Sequence, residues 1–261
     1  MKPAGPLHAL VAALVLGSCA SPGPSGPAAE SSDPLTAFYI PGGSLDDLPG
    51  PLAPDAVPYY GPTDRGANPE FAAADEALRR DTIAEFGSAR AASDMVCDTA
   101  REAYRETDYA TSAVHFNQAW LIDPTNPEVP LGFASIYHDH GNTVKAREFV
   151  DEAVALGLES SMALADAALI YAVGVSDGTG LGPAEAEALG QQSKELVALA
   201  LDRAPTPDAR QYAYESWVLV LLQLDDLDGA QSKAALMDAA GMRLTPATQE
   251  LLDAAASTPT R

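Results

Sequence analysis

The chain repeats itself. When residues 93–126 are laid over residues 127–160, Ala100 falls on Ala134, Ala103 on Tyr137, Thr107 on Gly141, Ser112 on Ala146, Phe116 on Val150 and Ala119 on Ala153. The offset is 34 each time, and a further step of 34 carries Ala134 to Ala168 and Tyr137 to Tyr171. A unit of that length cannot bury its apolar face alone, so such units must stack on one another. Small residues such as Ala100 and Ala134 let paired helices approach closely. Larger ones such as Tyr137 and Phe116 fill the gap to the next unit. Alanine is abundant and aromatics are only 7%, which favours close-packed helices over sheets. No stretch reads as a convincing strand.

Helix limits are written in the sequence. At Asn68-Pro69-Glu70, asparagine suits a cap, proline the first helical position and glutamate the positive end of the dipole. Phe71, Ala74, Leu78 and Phe86 follow close to helical spacing. Asp123-Pro124 stops one helix, and Asn126-Pro127-Glu128 caps the next. The 34-residue period, the small residues and this punctuation resemble the tetratricopeptide repeat (TPR) family. The stretch ETDYATSAVHFNQAWLIDPTNPEV carries the likeness best, with LGFASIYHDHGNTVKAREFVDEAVALG after it. The pattern departs at Val96, Thr99 and Ala103, where the family has tryptophan, leucine and tyrosine. The likeness spans residues 93–241 and implies an all-α, TPR-like superhelical solenoid of antiparallel helix pairs. A capping helix is expected over 69–92 and the repeat domain over 93–258. VSDGTGLG reads as an insertion before a long helix opening at Pro183, and TPATQELLDAAAS as a closing helix.

The N-terminal part is of another kind. Lys2, an almost wholly apolar run from Leu7 to Leu16 and small residues at Gly17-Ser18 make a secretory signal peptide over 1–18. Leu16-Gly17-Ser18-Cys19 resembles a bacterial lipobox, which implies cleavage before Cys19 and its lipidation with palmitate-type chains. Several acyl chains on one residue would hold a protein stably on a membrane. The residues after Cys19 favour the outer membrane, facing the periplasm. Eleven of the 21 prolines lie between Pro22 and Pro69, so residues 19–68 read as an extended, disordered tether. Phe38-Tyr39-Ile40 and Tyr59-Tyr60 interrupt it, and these patches are expected to dock on the folded part.

The formal net charge of -22 argues against nucleic acid and anionic lipid as broad-surface partners. Cys97 is the one cysteine besides Cys19, so no internal disulfide is expected. The motif YHDHG, residues 137–141, invites a metal reading. Yet His138 and His140 are two apart and project to opposite sides of a helix, where a helical zinc pair needs four. An ordinary helix end closed by Gly141 accounts for it. SDGTGLGP lacks the lysine of a phosphate loop, and LDDLDG places Leu224 and Ala235 where calcium ligands belong. No catalytic constellation, metal site or cofactor is expected.

The resemblance implies a concave groove lined by the first helix of each unit. Carried onto this sequence, that stripe is Cys97, Arg101, Tyr104 and Arg105, then Leu131, Ser135, His138 and Asp139, then Ala165 and Leu169, then Tyr212, Glu215 and Leu219. The expected function is a lipid-anchored cell-envelope adaptor that binds another envelope protein or peptide segment through this groove. Two alternatives stand beside it. One is a metal-binding or hydrolytic envelope enzyme with a site near His138 and Asp139. The other is a self-associating structural tether.

Overall fold

A computed structural model describes residues 56–61 and 65–257. The signal peptide, Cys19 and the Phe38-Tyr39-Ile40 patch lie outside the described residues. Among the described residues there are ten α-helices and no strand. They are α1 (Pro69–Phe86), α2 (Ala89–Arg105), α3 (Tyr109–Ile122), α4 (Glu128–Asp139) and α5 (Thr143–Leu156), then α6 (Ser161–Asp177), α7 (Pro183–Asp202), α8 (Pro207–Gln223), α9 (Leu227–Ala239) and α10 (Pro246–Ser257). They fall into two compact units, one ending at Leu158 and the other beginning at Glu159.

In the first unit, α1 begins as its sequence dictates. Asn68 Oδ1 accepts from the Glu70 N–H at 2.9 Å, and Pro69 occupies the first position. The helix stops at Gly87, which takes a left-handed φ of 84° and donates its N–H to the Ile83 carbonyl. Ser88 Oγ then accepts from the Ala91 N–H at 3.1 Å and starts α2. The first repeat helix therefore opens at Ala89, ahead of the boundary expected at 93. No residue of α1 is buried.

The pairs α2/α3 and α4/α5 close through the same turn. Thr107 and Gly141 both sit at positive φ, 61° and 73°. The next N–H reaches back to the first helix, Asp108 to the Ala103 carbonyl at 3.0 Å and Asn142 to the Tyr137 carbonyl at 2.9 Å. Asp108 and Asn142 then cap the second helices, accepting from Thr111 N–H and Lys145 N–H, each at 3.1 Å. Glycine meets this backbone without cost, whereas a β-branched residue does not. Thr107→Gly is thus expected to stabilise the protein by about 0.5–1 kcal/mol. A urea unfolding midpoint that stays put or falls would refute this.

The repeated small residues are where the helices meet. Ala100, Ala119, Ala134 and Ala153 are all fully buried, and Phe116 and Val150 fill the equivalent larger positions. One close approach lies outside the repeat pattern. A Cβ on Gly132 would come within 2.1 Å of Phe116 Cζ, so the Phe116 ring lies directly on the α4 backbone.

In the second unit, α6 and α8 are buried on nearly every side, and α8 packs on α6, α7, α9 and α10. Serine hydroxyls tie the helices together: Ser161 Oγ donates to the Ala200 carbonyl at 2.7 Å and Ser193 Oγ to the Ala168 carbonyl at 2.6 Å. The insertion after α6 is short. It places the Gly182 N–H 2.8 Å from a carboxylate oxygen of Glu185, which caps the start of α7. Asp225 (φ 56°) and Asp226 repeat the turn seen in the first unit, with Asp226 N–H on the Leu221 carbonyl at 2.9 Å.

Candidate protein-binding surface

Within the first unit the first helices of the two pairs, α2 and α4, lie side by side. Two polar links join them. Arg101 pairs with Glu128, and the Tyr104 hydroxyl donates to Asp139 Oδ2 at 2.6 Å. Arg101 also meets Asp98 at 2.7 Å on its own helix. Burial alone would lower the guanidinium's pKa, but Glu128, Cys97 and Asp98 outweigh it and the charge is held more firmly than usual. Arg101 is thus committed within the chain. Arg105, at the end of α2, is exposed.

The YHDHG segment ends α4, with His140 as its C-cap and Gly141 in the turn. His140 Nδ1 lies 2.7 Å from the Ile136 carbonyl, and its ring meets Tyr109 edge-on at 4.9 Å. Burial pushes the imidazole's pKa down. Asp139 turns inward. Its Oδ2 accepts from both Tyr104 and Tyr109, the latter at 3.2 Å, while Oδ1 is shut off from solvent without a hydrogen-bond partner. Burial raises its pKa to about 7, against the opposing pull of the two phenols. Sequence spacing marked His138 and Asp139 but not Tyr109. The signal that could have found Tyr109 is its place at the start of the second helix, one turn from the end of α2. Among the described residues, no group of three or more His, Cys, Asp or Glu side chains is placed to hold a metal.

Other residues of the expected stripe face different surroundings. Ser135 is half-buried and its hydroxyl donates to the Leu131 carbonyl of its own helix at 3.1 Å, while His138 is half-buried nearby. Leu131, Ala165, Leu169, Tyr212, Glu215 and Leu219 are buried instead of lining an open groove. For the last three the reason is that α8 is a central helix rather than a rim one. Tyr212 donates to Asp166, and Glu215 accepts from Thr245 N–H at 3.2 Å, from Thr248 Oγ1 at 2.5 Å and from the Thr245 hydroxyl, which fastens α10. The open part of the stripe is thus the α2–α4 surface: exposed Arg105, with half-buried Arg101, Ser135 and His138.

Cys97 is wholly buried, and burial pushes its thiol up to about 12. A thiol so protonated and enclosed is a poor nucleophile. The folded protein is expected to resist maleimide at Cys97 until denaturant is added; fast labelling of the native state would contradict this burial.

Residues 103–167 match the tetratricopeptide repeat family, from the end of α2 through α3, α4 and α5 into α6. No solved structure matches the chain. Repeats of this family generally mediate contacts between proteins. The family match, the 34-residue period and the recurring helix-pair turn agree, and on them residues 103–167 are tetratricopeptide repeats.

Proposed function

We propose that this chain is a lipid-anchored adaptor of the cell envelope, held on the outer membrane through Cys19 and binding another envelope protein along the α2–α4 surface. The observation that carries the binding half is the pairing of α2 with α4 beside an exposed arginine in a strongly acidic chain. Arg105 stands clear of the packing. An exposed arginine in so acidic a chain suits a partner segment with an acidic group. The anchor rests on Leu16-Gly17-Ser18-Cys19 alone. No described helix is long and apolar enough to cross a membrane.

Two experiments test the two halves. The first is cross-linking in detergent-solubilised membranes, read by mass spectrometry, with Arg105→Glu as the comparison. Arg101→Glu is unsuited to it, because a carboxylate there would face Asp98 and Glu128 and report on folding instead. One abundant envelope protein, lost with Arg105→Glu, supports the reading, while recovery of this chain alone rejects it. The second feeds cells an alkyne-tagged fatty acid. Label and membrane fractionation should both vanish with Cys19→Ala, and their persistence would reject the anchor.

A further inference from the structure

The segment Val57–Gly61 is held as a ligand is held. Asn117, fully buried on α3, brackets its backbone: Oδ1 accepts from the Tyr59 N–H at 2.6 Å, and Nδ2 donates to the Val57 carbonyl at 2.7 Å. A side-chain amide placed in this way reads main chain, not sequence. The Tyr59 ring enters a box of three aromatics from three helices. Trp120 of α3 lies 5.3 Å away, Phe133 of α4 5.5 Å away and edge-on, and Phe149 of α5 5.9 Å away. Burial and the neighbouring Glu152 carboxylate push the Tyr59 phenol well above its usual range.

The segment accepts an unfavourable backbone to fit. Tyr59, Tyr60 and Gly61 all take positive φ, at 54°, 60° and 58°. Two successive non-glycine residues seldom do so unless their surroundings impose it. Tyr60 is buried beside them, with the Arg65 guanidinium 4.2 Å from its ring centroid, and Arg65 is pinned by a bidentate pair with Asp75. The part of the expected tether that carries Tyr59-Tyr60, one of the two patches expected to dock, is thus a seated, strained plug. The helices beneath supply a backbone clamp and an aromatic pocket, two elements of peptide recognition.

We propose that Asn117, Trp120, Phe133 and Phe149 form a peptide-binding site for a short neutral or basic segment that inserts one tyrosine or phenylalanine after a proline, and that Val57–Gly61 occupies it in cis until a partner protein's segment displaces it. Charge selects a separate partner over a second copy. Each copy carries a net -22 and brings its own acidic surface, whereas Glu152 at the pocket favours a segment without acids. The site lies on the second helices α3 and α5 with Phe133 of α4, so it stands or falls independently of the α2–α4 surface. A tethered plug competes at an effective concentration in the millimolar range, so removing its anchor exposes the site.

The test is calorimetric titration of the full chain with a synthetic peptide of residues 56–61, AVPYYG. The Tyr59→Ala chain is expected to bind it at least tenfold more tightly than the wild-type chain. Adding Asn117→Asp, which keeps the shape but removes the donor to the peptide carbonyl, is expected to abolish that binding. Circular dichroism serves as the check that both variants keep their helices, and a variant that lost them would be replaced by Tyr59→Ser with Asn117→Ser. Equal affinity for wild-type and Tyr59→Ala chains overturns the proposal, as does a folded Tyr59→Ala chain that binds nothing. A concentration-dependent wild-type dimer with exchanged segments also overturns it, by giving the site to a second copy.

Discussion

Phe133→Ala should cost about 3–5 kcal/mol of stability, as truncation of a fully buried aromatic usually does. Phe133 has no exposed surface, and its ring touches three others: Phe149 at 5.6 Å, Phe116 at 5.7 Å and Tyr59 at 5.5 Å. The hole would be slow to collapse. Phe116 is already pressed against the α4 backbone at Gly132, and Phe149 is stacked on Tyr137 at 5.4 Å, so neither ring can swing inward freely. Urea unfolding followed by circular dichroism measures the loss, with Phe133→Leu as a milder companion that refills most of the volume. A loss below about 1 kcal/mol would mean that the aromatic cluster is far looser than its burial implies.

The second large effect is a pH dependence centred on Asp139. Its carboxyl ordinarily titrates at 3.8, and burial lifts it to about 7 in the folded protein. The folded state therefore holds a proton that the unfolded chain gives up across that interval. The stability this contributes is fully present below about pH 4 and is lost as the pH rises towards 7. At about 1.4 kcal/mol per unit, the swing is of order 4 kcal/mol. His140 works the other way. Its burial lowers the imidazole pKa, so its contribution is present above the ordinary histidine range and lost as the pH falls. Asp139→Asn isolates the carboxyl. The amide oxygen still accepts from Tyr104 and Tyr109, but the group cannot ionise. Melting of the two proteins should differ least at pH 4 and below, with the asparagine variant clearly the more stable at pH 8. Parallel melting curves across that range would show that Asp139 is ionised throughout.

Much of the fold was legible because packing and turn chemistry both leave periodic marks. Ala100, Ala134 and Ala168 lie 34 apart, and all three are fully buried. Asn68-Pro69-Glu70 wrote the start of α1, and Gly141 the turn after α4. The same arithmetic was weaker on the surface. Periodicity says which side of a helix faces its partner, but not how far later elements cover the other side. Tyr212, Glu215 and Leu219 look like a surface stripe until α10 and the helices around α8 enclose them. Asp139 was read as a groove residue, and nothing near it in sequence announces the inward bonds from Tyr104 and Tyr109. The seat of Tyr59 was half legible: an aromatic pair in a proline-rich stretch asks for a contact, but Asn117 and Trp120 lie some 58 positions onward.

The order of attachment along the chain has a mechanical consequence. Val57–Gly61 precedes α1, yet it is fastened to α3, α4 and α5. Tension applied from the N-terminal side would load the Asn117 clamp and the Tyr59 ring before it reached α1, which has no buried residue of its own. The weakest helix of the unit would be shielded by a latch ahead of it. In force spectroscopy the first event would be the release of a few residues of slack, with α1 peeling only afterwards.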